Sequence, residues 1–225
     1  DETYMEYKQK YEKRRQVVYV GANDGMLHAF NAGFYDPNTL TYKLSSGAGE
    51  VEHPLGAELW AYVPYNLLPH LQWLTKADYP HVYYMDGPVK SYDVNIFTPD
   101  ATHPGGWGTI IVAGMRLGCG DFTLDPDSDP DAATGDDITM RSGYVIMDVT
   151  DPEQPPVLIG EIANYTLGFA TADSTVMKFR APNSSDGSYS SPAINRWFLL
   201  LGSGPSGHDP ATKTKALNSA ETSGN

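Results

Sequence analysis

The amino-acid sequence predicts an all-β protein that forms part of a β-propeller, with about two to three blades of antiparallel sheet and a short N-terminal helix. Turn residues and strand formers are both abundant, since the 225 residues include 22 Gly, 17 Pro and 15 Tyr. Apolar, strand-like segments end in glycine at Gly21, Gly114 and Gly202, which are 93 and 88 residues apart. Such self-similarity indicates a repeat architecture, here with long inserted loops or two sheet units per period.

Residues 1–15, DETYMEYKQKYEKRR, are the one clear helical stretch. Tyr4, Tyr7 and Tyr11 recur at spacings of three and four, so they share one helix face. The charged residues between them would face water. We expect a short helix that docks through its tyrosines on a larger body.

The stretch VVYVGANDGMLHAF at residues 17–30 predicts a β-hairpin. Its turn is Asn23-Asp24-Gly25, where glycine accepts the positive φ that tight turns require. Residues 26–31 then alternate, with Met26, His28 and Phe30 expected on one face. The later segment GAELWAYVP predicts a third strand with Trp60 and Tyr62 on one side.

Further strands are predicted along the chain. HVYYMDGPVKSYDV at residues 81–94 indicates a strand, an Asp-Gly turn and a second strand. WGTIIVAGMRLG, SGYVIMDVTDP, PPVLIGEI and RWFLLLGSGPSG each indicate an apolar strand. We expect a helix over residues 1–15, a partial propeller over 16–205 with blades at about 16–64, 81–162 and 165–205 onward, and a polar tail over 206–225. A propeller closes with about four to eight blades, so other blades or another chain should cover the exposed edges.

Charge and composition exclude several classes of function. The net charge of -13, from 28 acidic and 15 basic residues, argues against a nucleic-acid partner. No apolar run approaches the roughly 20 residues that span a bilayer. The single cysteine, Cys119, excludes an intrachain disulfide and a CxxC motif, and we expect it to be buried and structural. The chain begins without Met or a signal peptide, as a mature product or a fragment would.

Five segments in order resemble the C-terminal propeller of the PilY/PilC family, which comprises type IV pilus assembly and tip-adhesin proteins. They are VVYVGANDGMLHAFNA, GAELWAYVPYNLLPHL, YYMDG, WGTIIVAGM and MDVTDP, and the likeness covers roughly residues 4–205. It implies a seven-bladed, quinoprotein-like propeller in the periplasm, at the outer membrane or on the pilus tip. It also implies roles in pilus extension, adhesion and surface sensing, with pilins and minor pilins as partners, a host or surface receptor, and calcium as a modulator. The long N-terminal region of the family and the later blades, where its calcium loop usually lies, are missing from this sequence.

An acidic insertion, DPDSDPDAATGDD at residues 125–137, is the candidate metal site. Calcium takes six to eight hard oxygen ligands, and acids at positions 1, 3, 5 and 12 of a loop can wrap one ion. Pro130 stands where such a loop wants glycine, and Ala133 where an acid would help. The alternative is a solvated acidic loop. The candidate calcium ligands are Asp125, Asp127, Asp129, Asp131 and Asp136.

No catalytic set is apparent, and we expect a protein that is not an enzyme. The six histidines are dispersed without an HExxH motif, and we expect His28 and His70 to be packing residues. Cys119 has only Arg116 as a basic neighbour in sequence, so thiolate activation is not indicated. Two alternatives stay open: a quinone-cofactor dehydrogenase with a related propeller, and a structural subunit of a surface filament whose partner chains cover the sheet edges.

Overall fold

The centre of the fold is a four-stranded antiparallel sheet, the central sheet, whose strands are ordered β5 (Val89–Asn95), β6 (Trp107–Gly114), β9 (Tyr144–Asp148) and β10 (Val157–Ile162). The computed structural model describes residues 2–45, 52–120, 122–124, 138–164, 167–181, 194–202 and 204–205. Strands adjacent in this central sheet follow one another along the chain, apart from a short hairpin inserted between β6 and β9. The central sheet therefore consists of these four strands, and the inserted hairpin is separate from it.

The two middle strands of the central sheet are buried at every position. Their sequences, WGTIIVAG and YVIMD, are apolar apart from Thr109 and Asp148, because both faces of the sheet are covered. On one face, Ile111 and Val145 belong to a core shared with the first sheet. On the other face, Ile110 and Ile146 belong to a second core shared with the third sheet. Three sheets are therefore stacked face to face, as blades are in a propeller.

The first sheet confirms the predicted hairpin. Strand β2 (Leu27–Asp36) pairs antiparallel with β1 (Gln16–Gly21), β3 (Thr41–Lys43) and β4 (Glu58–Tyr62). The turn contains Gly25 at φ 90°, and its backbone N–H donates to the carbonyl of Ala22 at 3.3 Å. Burial alternates along the start of β2 as the sequence predicts, with Leu27 and Ala29 facing the core.

The third sheet and the inserted hairpin have two described strands each. The third sheet pairs β11 (Thr175–Ala181) with β12 (Ile194–Leu200), and the hairpin pairs β7 (Phe122–Leu124) with β8 (Ile138–Met140). The indole rings of Trp107 and Trp197 meet edge to face with centroids 5.6 Å apart. This contact joins the central sheet to the third.

The predicted short N-terminal helix is present as α1 (Glu2–Tyr11), although it ends at Tyr11 and not at residue 15, and it packs on the central sheet through the predicted tyrosine face. Tyr7 is 2% exposed, and its hydroxyl contacts the hydroxyl of Thr109 and donates to Asp93 at 3.1 Å. The ring of Tyr4 lies 4.5 Å from that of Trp107. The helix thus ties the chain before β1 to the sheet after it.

The predicted strand in the first half of residues 81–94 is wrong. Residues 82–88 form no strand, and Asp86-Gly87 does not reverse the chain. The backbone N–H of Met85 donates to Ala22 at 3.2 Å, and that of Gly87 donates to Gly114 at 3.0 Å. The segment therefore bonds to the ends of two different sheets and runs between them. A strand would need a continuous row of hydrogen bonds to one neighbouring strand, and this segment has none.

Two 3-10 helices were not predicted from the sequence. One spans Tyr65–Thr75 with Pro69 inside it, and the other spans Pro104–Gly106. The longer helix contributes Leu67, fully buried, to the core between the first and central sheets. Within the described ranges, no helix is long and apolar enough to cross a lipid bilayer.

Candidate functional site

The predicted calcium ligands lie outside the described residues. Asp125, Asp127, Asp129, Asp131 and Asp136 all fall in the undescribed range 125–137. The residues that flank this range, Leu124 and Ile138, are paired across β7 and β8 and therefore lie next to each other. Among the residues that the structure describes, no three His, Cys, Asp or Glu side chains are placed to hold a metal ion.

The third sheet presents an apolar outer face, which we call the β11–β12 face and define as Met177, Phe179, Phe198 and Leu200. Their exposed fractions lie between 41% and 44%. The rings of Phe179 and Phe198 stack edge to face at 5.6 Å. The opposite side of the same sheet packs against the second core through Val176, Trp197 and Leu199. Soluble proteins rarely leave such a contiguous patch uncovered, so this face is a candidate interaction surface.

Two further apolar surfaces lie at the other boundaries of the stack. On β1, Val18 and Val20 point outward from the first sheet and are 54% and 42% exposed. On the edge strand β10, the consecutive residues Val157, Leu158 and Ile159 are 61%, 44% and 44% exposed. A register shift between Leu158 and Gly160 interrupts this edge, which weakens pairing with another strand. Exposed faces and edges of this kind are what the sequence predicts for part of a propeller.

The sequence predicts His28 as a packing residue, but in the structure it lies between two carboxylates and forms a hydrogen bond to each. Its Nδ1 is 2.5 Å from Glu58 and its Nε2 is 2.9 Å from Asp24. Burial alone would lower the pKa of His28, but the hydrogen bonds and charges of Glu58 and Asp24 outweigh burial and raise the pKa. Both ring nitrogens can donate only in the imidazolium form. The trio therefore favours a charged histidine at the tip of the first hairpin.

A second histidine, His103, also lies between two carboxylates, in the connection between β5 and β6 just before the shorter 3-10 helix. The Nε2 atom of His103 lies 2.9 Å from Asp148, and its Nδ1 atom lies 3.0 Å from Asp100. The backbone N–H of His103, its charge and its ring lower the pKa of Asp100. The imidazole also stacks on Phe97 at 4.1 Å. The sequence hides this pairing, because Asp148 follows His103 by 45 positions.

The prediction that Cys119 has no basic neighbour except Arg116 is wrong in three dimensions. Its thiol lies 3.6 Å from Nε2 of His70 and 3.2 Å from the carbonyl of Asn66. The predictions that both Cys119 and His70 are buried are confirmed, at 3% and 5% exposure. Burial lowers the pKa of His70, so the neutral imidazole is favoured. The pair anchors the longer 3-10 helix to the loop after β6, and its burial keeps the thiol from solvent.

Comparison with known proteins identifies relatives but no matching family model or solved structure. The chain is 29% identical over 205 residues to a Xylella fastidiosa (strain Temecula1) protein named type IV pilus biogenesis factor PilY1 homolog, a match that covers 90% of the chain and 12% of that relative. It is 26% identical over 181 residues to the type IV pilus biogenesis factor PilY1 of Pseudomonas aeruginosa PAO1, covering 78% of the chain and 11% of that relative. A third match, to the protein of the same name in P. aeruginosa UCBPP-PA14, is 31% identical over 127 residues and covers 54% of the chain and 8% of that relative. The chain thus spans about a tenth of the length of these curated relatives.

Proposed function

Because the chain is related to the PilY1 family of type IV pilus biogenesis factors, we propose that it is a propeller segment of a protein that acts in type IV pilus biogenesis. The observation that carries the proposal is the match over 90% of the chain to a relative of that name. The protein works at the cell surface, on the pilus tip, at the outer membrane or in the periplasm. Its partners are pilins and minor pilins, and it takes part in adhesion and surface sensing without catalysing a reaction.

The stacked sheets support a role in binding. The three sheets bury two cores and leave the β11–β12 face and the outer side of β1 half-exposed. Half-exposed apolar faces such as these are suited to packing against further protein. A binding role accounts for these apolar faces without any catalytic reaction, whereas a quinone-dependent dehydrogenase would need a cofactor cavity with its own ligands.

The test is deletion of the gene that encodes the chain in its own bacterium, followed by complementation. We expect the deletion to reduce pili in the sheared surface fraction and in electron micrographs, and the native gene to restore them. A complementing gene with Phe179→Ser and Phe198→Ser should restore pili poorly, whereas Met5→Ser, at an exposed position of α1, should restore them fully. Normal piliation and twitching in the deletion strain would contradict the proposal. Dye reduction by the purified protein with pyrroloquinoline quinone, calcium and an alcohol would favour the enzyme alternative.

We also propose that the acidic loop binds calcium and modulates this function. The support is the spacing of Asp125, Asp127, Asp129 and Asp136, together with the strand pairing of the two residues that flank the loop. Calorimetric titration of the purified chain should show one calcium site. The variant Asp125→Asn, Asp127→Asn and Asp129→Asn should lose it. A charge-matched control with Glu2→Gln, Glu6→Gln and Asp78→Asn, all exposed and distant in sequence, should keep it, and equal loss in both variants would argue for a diffuse charge effect.

A further inference from the structure

A cavity of about 370 Å³ lies where the segment between α1 and β1 passes over the first and central sheets. Strand β1 forms one wall and strands β5 and β6 contribute to another. This volume is at the lower end of the range for small-ligand sites, which combine apolar walls with a few convergent polar groups. The residues that matter are the apolar Val17, Val149 and Pro152 and the polar Arg14, Tyr19 and Ser91.

Arg14 supplies a positive charge to this cavity. Its Nη1 atom donates to the carbonyl of Thr150 at 3.0 Å and to the hydroxyl of Tyr7 at 3.4 Å, and the guanidinium carbon lies 5.5 Å from the centre of the Tyr11 ring. These contacts hold the guanidinium in place. Among the described residues, Arg14 forms no ion pair, and both of its hydrogen bonds come from Nη1. In a chain with a net charge of -13, an arginine so placed retains the three N–H groups of Nε and Nη2 for an incoming acceptor.

Two hydroxyl groups add to this donor set. Tyr19 packs its ring against Trp60 at 5.7 Å, and burial raises the pKa of Tyr19 to about 12, so the phenol keeps its proton and can donate. Ser91 lies on β5 across the cavity at an exposed position, where its hydroxyl meets solvent until a ligand binds. Neither hydroxyl has a hydrogen-bond partner within the described part of the chain. Arg14, Tyr19 and Ser91 therefore offer at least four N–H or O–H groups at one cavity.

The remaining charges around the cavity are largely balanced. Arg15 forms two hydrogen bonds to Glu153, and Asp93 accepts hydrogen bonds from Tyr7 and from Thr109. Glu12 also lines the cavity and is exposed. Its carboxylate repels an anion in the cavity, but solvent screens an exposed charge.

We propose that this cavity binds a carboxylate attached to a small apolar group, either a free acid or the C-terminal residue of a peptide. Arg14 pairs with the carboxylate, Tyr19 and Ser91 donate to its oxygens, and Val17, Val149 and Pro152 contact the apolar group. Guanidinium groups suit carboxylates because they donate two parallel hydrogen bonds. The inference goes beyond the proposed function and stands on the cavity alone, so neither depends on the other.

The test is calorimetric titration of the purified chain with N-acetylphenylalanine, its amide, inorganic phosphate, and a peptide ending in phenylalanine with a free or amidated C-terminus. We expect saturable binding of the free carboxylates and none of the amides. Tighter binding of the peptide than of the free acid would identify a peptide end as the source, and equal binding would identify a small acid. Phosphate binding as tight as carboxylate binding, or amide binding as tight as acid binding, would overturn the assignment, as would no binding at all.

Variants locate the site. Arg14→Gln should weaken carboxylate binding about tenfold or more, and Tyr19→Phe and Ser91→Ala about threefold each. Lys13→Gln removes the same charge from the neighbouring exposed residue, which does not line this cavity, and should leave affinity unchanged. Glu12→Gln should tighten binding about twofold, because it removes a like charge. If Arg14→Gln unfolds the chain, the affinities of Tyr19→Phe and Ser91→Ala for the carboxylate still test the site. Unchanged affinity in both variants would overturn the proposal.

Discussion

The guanidinium of Arg15 holds the carboxylate of Glu153 by two hydrogen bonds, 2.7 Å from Nε and 3.0 Å from Nη2, although the residues are 138 positions apart. The Arg15 side chain is fully buried, and its Nη1 donates to Asn31 at 2.9 Å. Its guanidinium also lies over the ring of Phe34 at 4.7 Å. This one side chain therefore joins the start of β1, the middle of β2 and the turn between β9 and β10.

Replacing Arg15 with methionine should destabilise the fold by about 2–4 kcal/mol, because Asn31 and Glu153 then lose a buried partner. Urea unfolding followed by circular dichroism measures the loss. Lys43→Met is the matched control, since the ion pair of Lys43 with Asp36 is largely exposed on the lysine side, and it should change the unfolding free energy far less than Arg15→Met does. Equal losses in the two variants would show that the buried pair has no special role.

Removing the buried tyrosine of α1 should detach the helix from the central sheet. Tyr7→Ala deletes a ring that is 2% exposed and should cost about 3–5 kcal/mol in unfolding free energy. Met5→Ala, on the same helix but 64% exposed, should cost less than about 0.5 kcal/mol. Hydrogen exchange should show loss of protection in residues 2–11 of the Tyr7 variant first, and full protection there would argue against the docking role.

The segment between the first two sheets should tolerate no side chain at Gly87. A Cβ built there lies 2.2 Å from the carbonyl oxygen of Gly114, so the backbone would have to move. Gly87→Ala should therefore destabilise the chain by about 2 kcal/mol or more. Gly160→Ala is the control, since a Cβ at Gly160 meets no atom within 4 Å. A midpoint of denaturation for Gly87→Ala as high as that of the control would contradict the close approach.

His28 should make stability depend on pH in a definite direction. Because its pKa is raised above 6.5 in the folded chain, the pairing with Asp24 and Glu58 contributes fully below about pH 6.5 and is lost as the pH rises through the folded value. The unfolding free energy of native protein minus that of His28→Gln should be on the order of 0.5 kcal/mol at about pH 6 and fall toward zero at about pH 9.

The control for this pH effect is His81→Gln. The side chain of His81 is exposed and packs against the ring of Tyr83. A pH-dependent difference of the same size in this control would show that the effect does not come from Asp24 and Glu58. A difference for His28→Gln that grows with rising pH would reverse the sign expected from the two carboxylates.

The elements that sequence reasoning found are those whose signals are local. The spacing of Tyr4, Tyr7 and Tyr11 is enough to predict α1, and the glycine turn around Gly25 is enough to predict the first hairpin, because helix faces and turn conformations depend on neighbouring residues. The apolar run of β6 is likewise enough to predict a strand, whereas its burial on both faces is a finding of the structure.

What sequence reasoning missed depends on contacts between distant positions. Residues 82–85 have strand-like composition, but the backbone N–H groups of Met85 and Gly87 bond to the ends of two different sheets, so composition misled. The proximity of His70 to Cys119 and of Arg15 to Glu153 is set by how sheets stack, and no spacing rule records it. The acidic loop at 125–137 was found by its composition alone, and its role in calcium binding stays a prediction.

The edge-to-face contact of Trp107 with Trp197 gives the molecule an intrinsic optical reporter. Two indoles at this separation couple their electronic transitions, which produces a paired circular dichroism signal that neither ring gives alone. The signal depends on the seating of the third sheet against the central one and is independent of whether either strand remains hydrogen-bonded. Its disappearance ahead of the backbone signal on heating would mark separation of the sheets as the first step of unfolding.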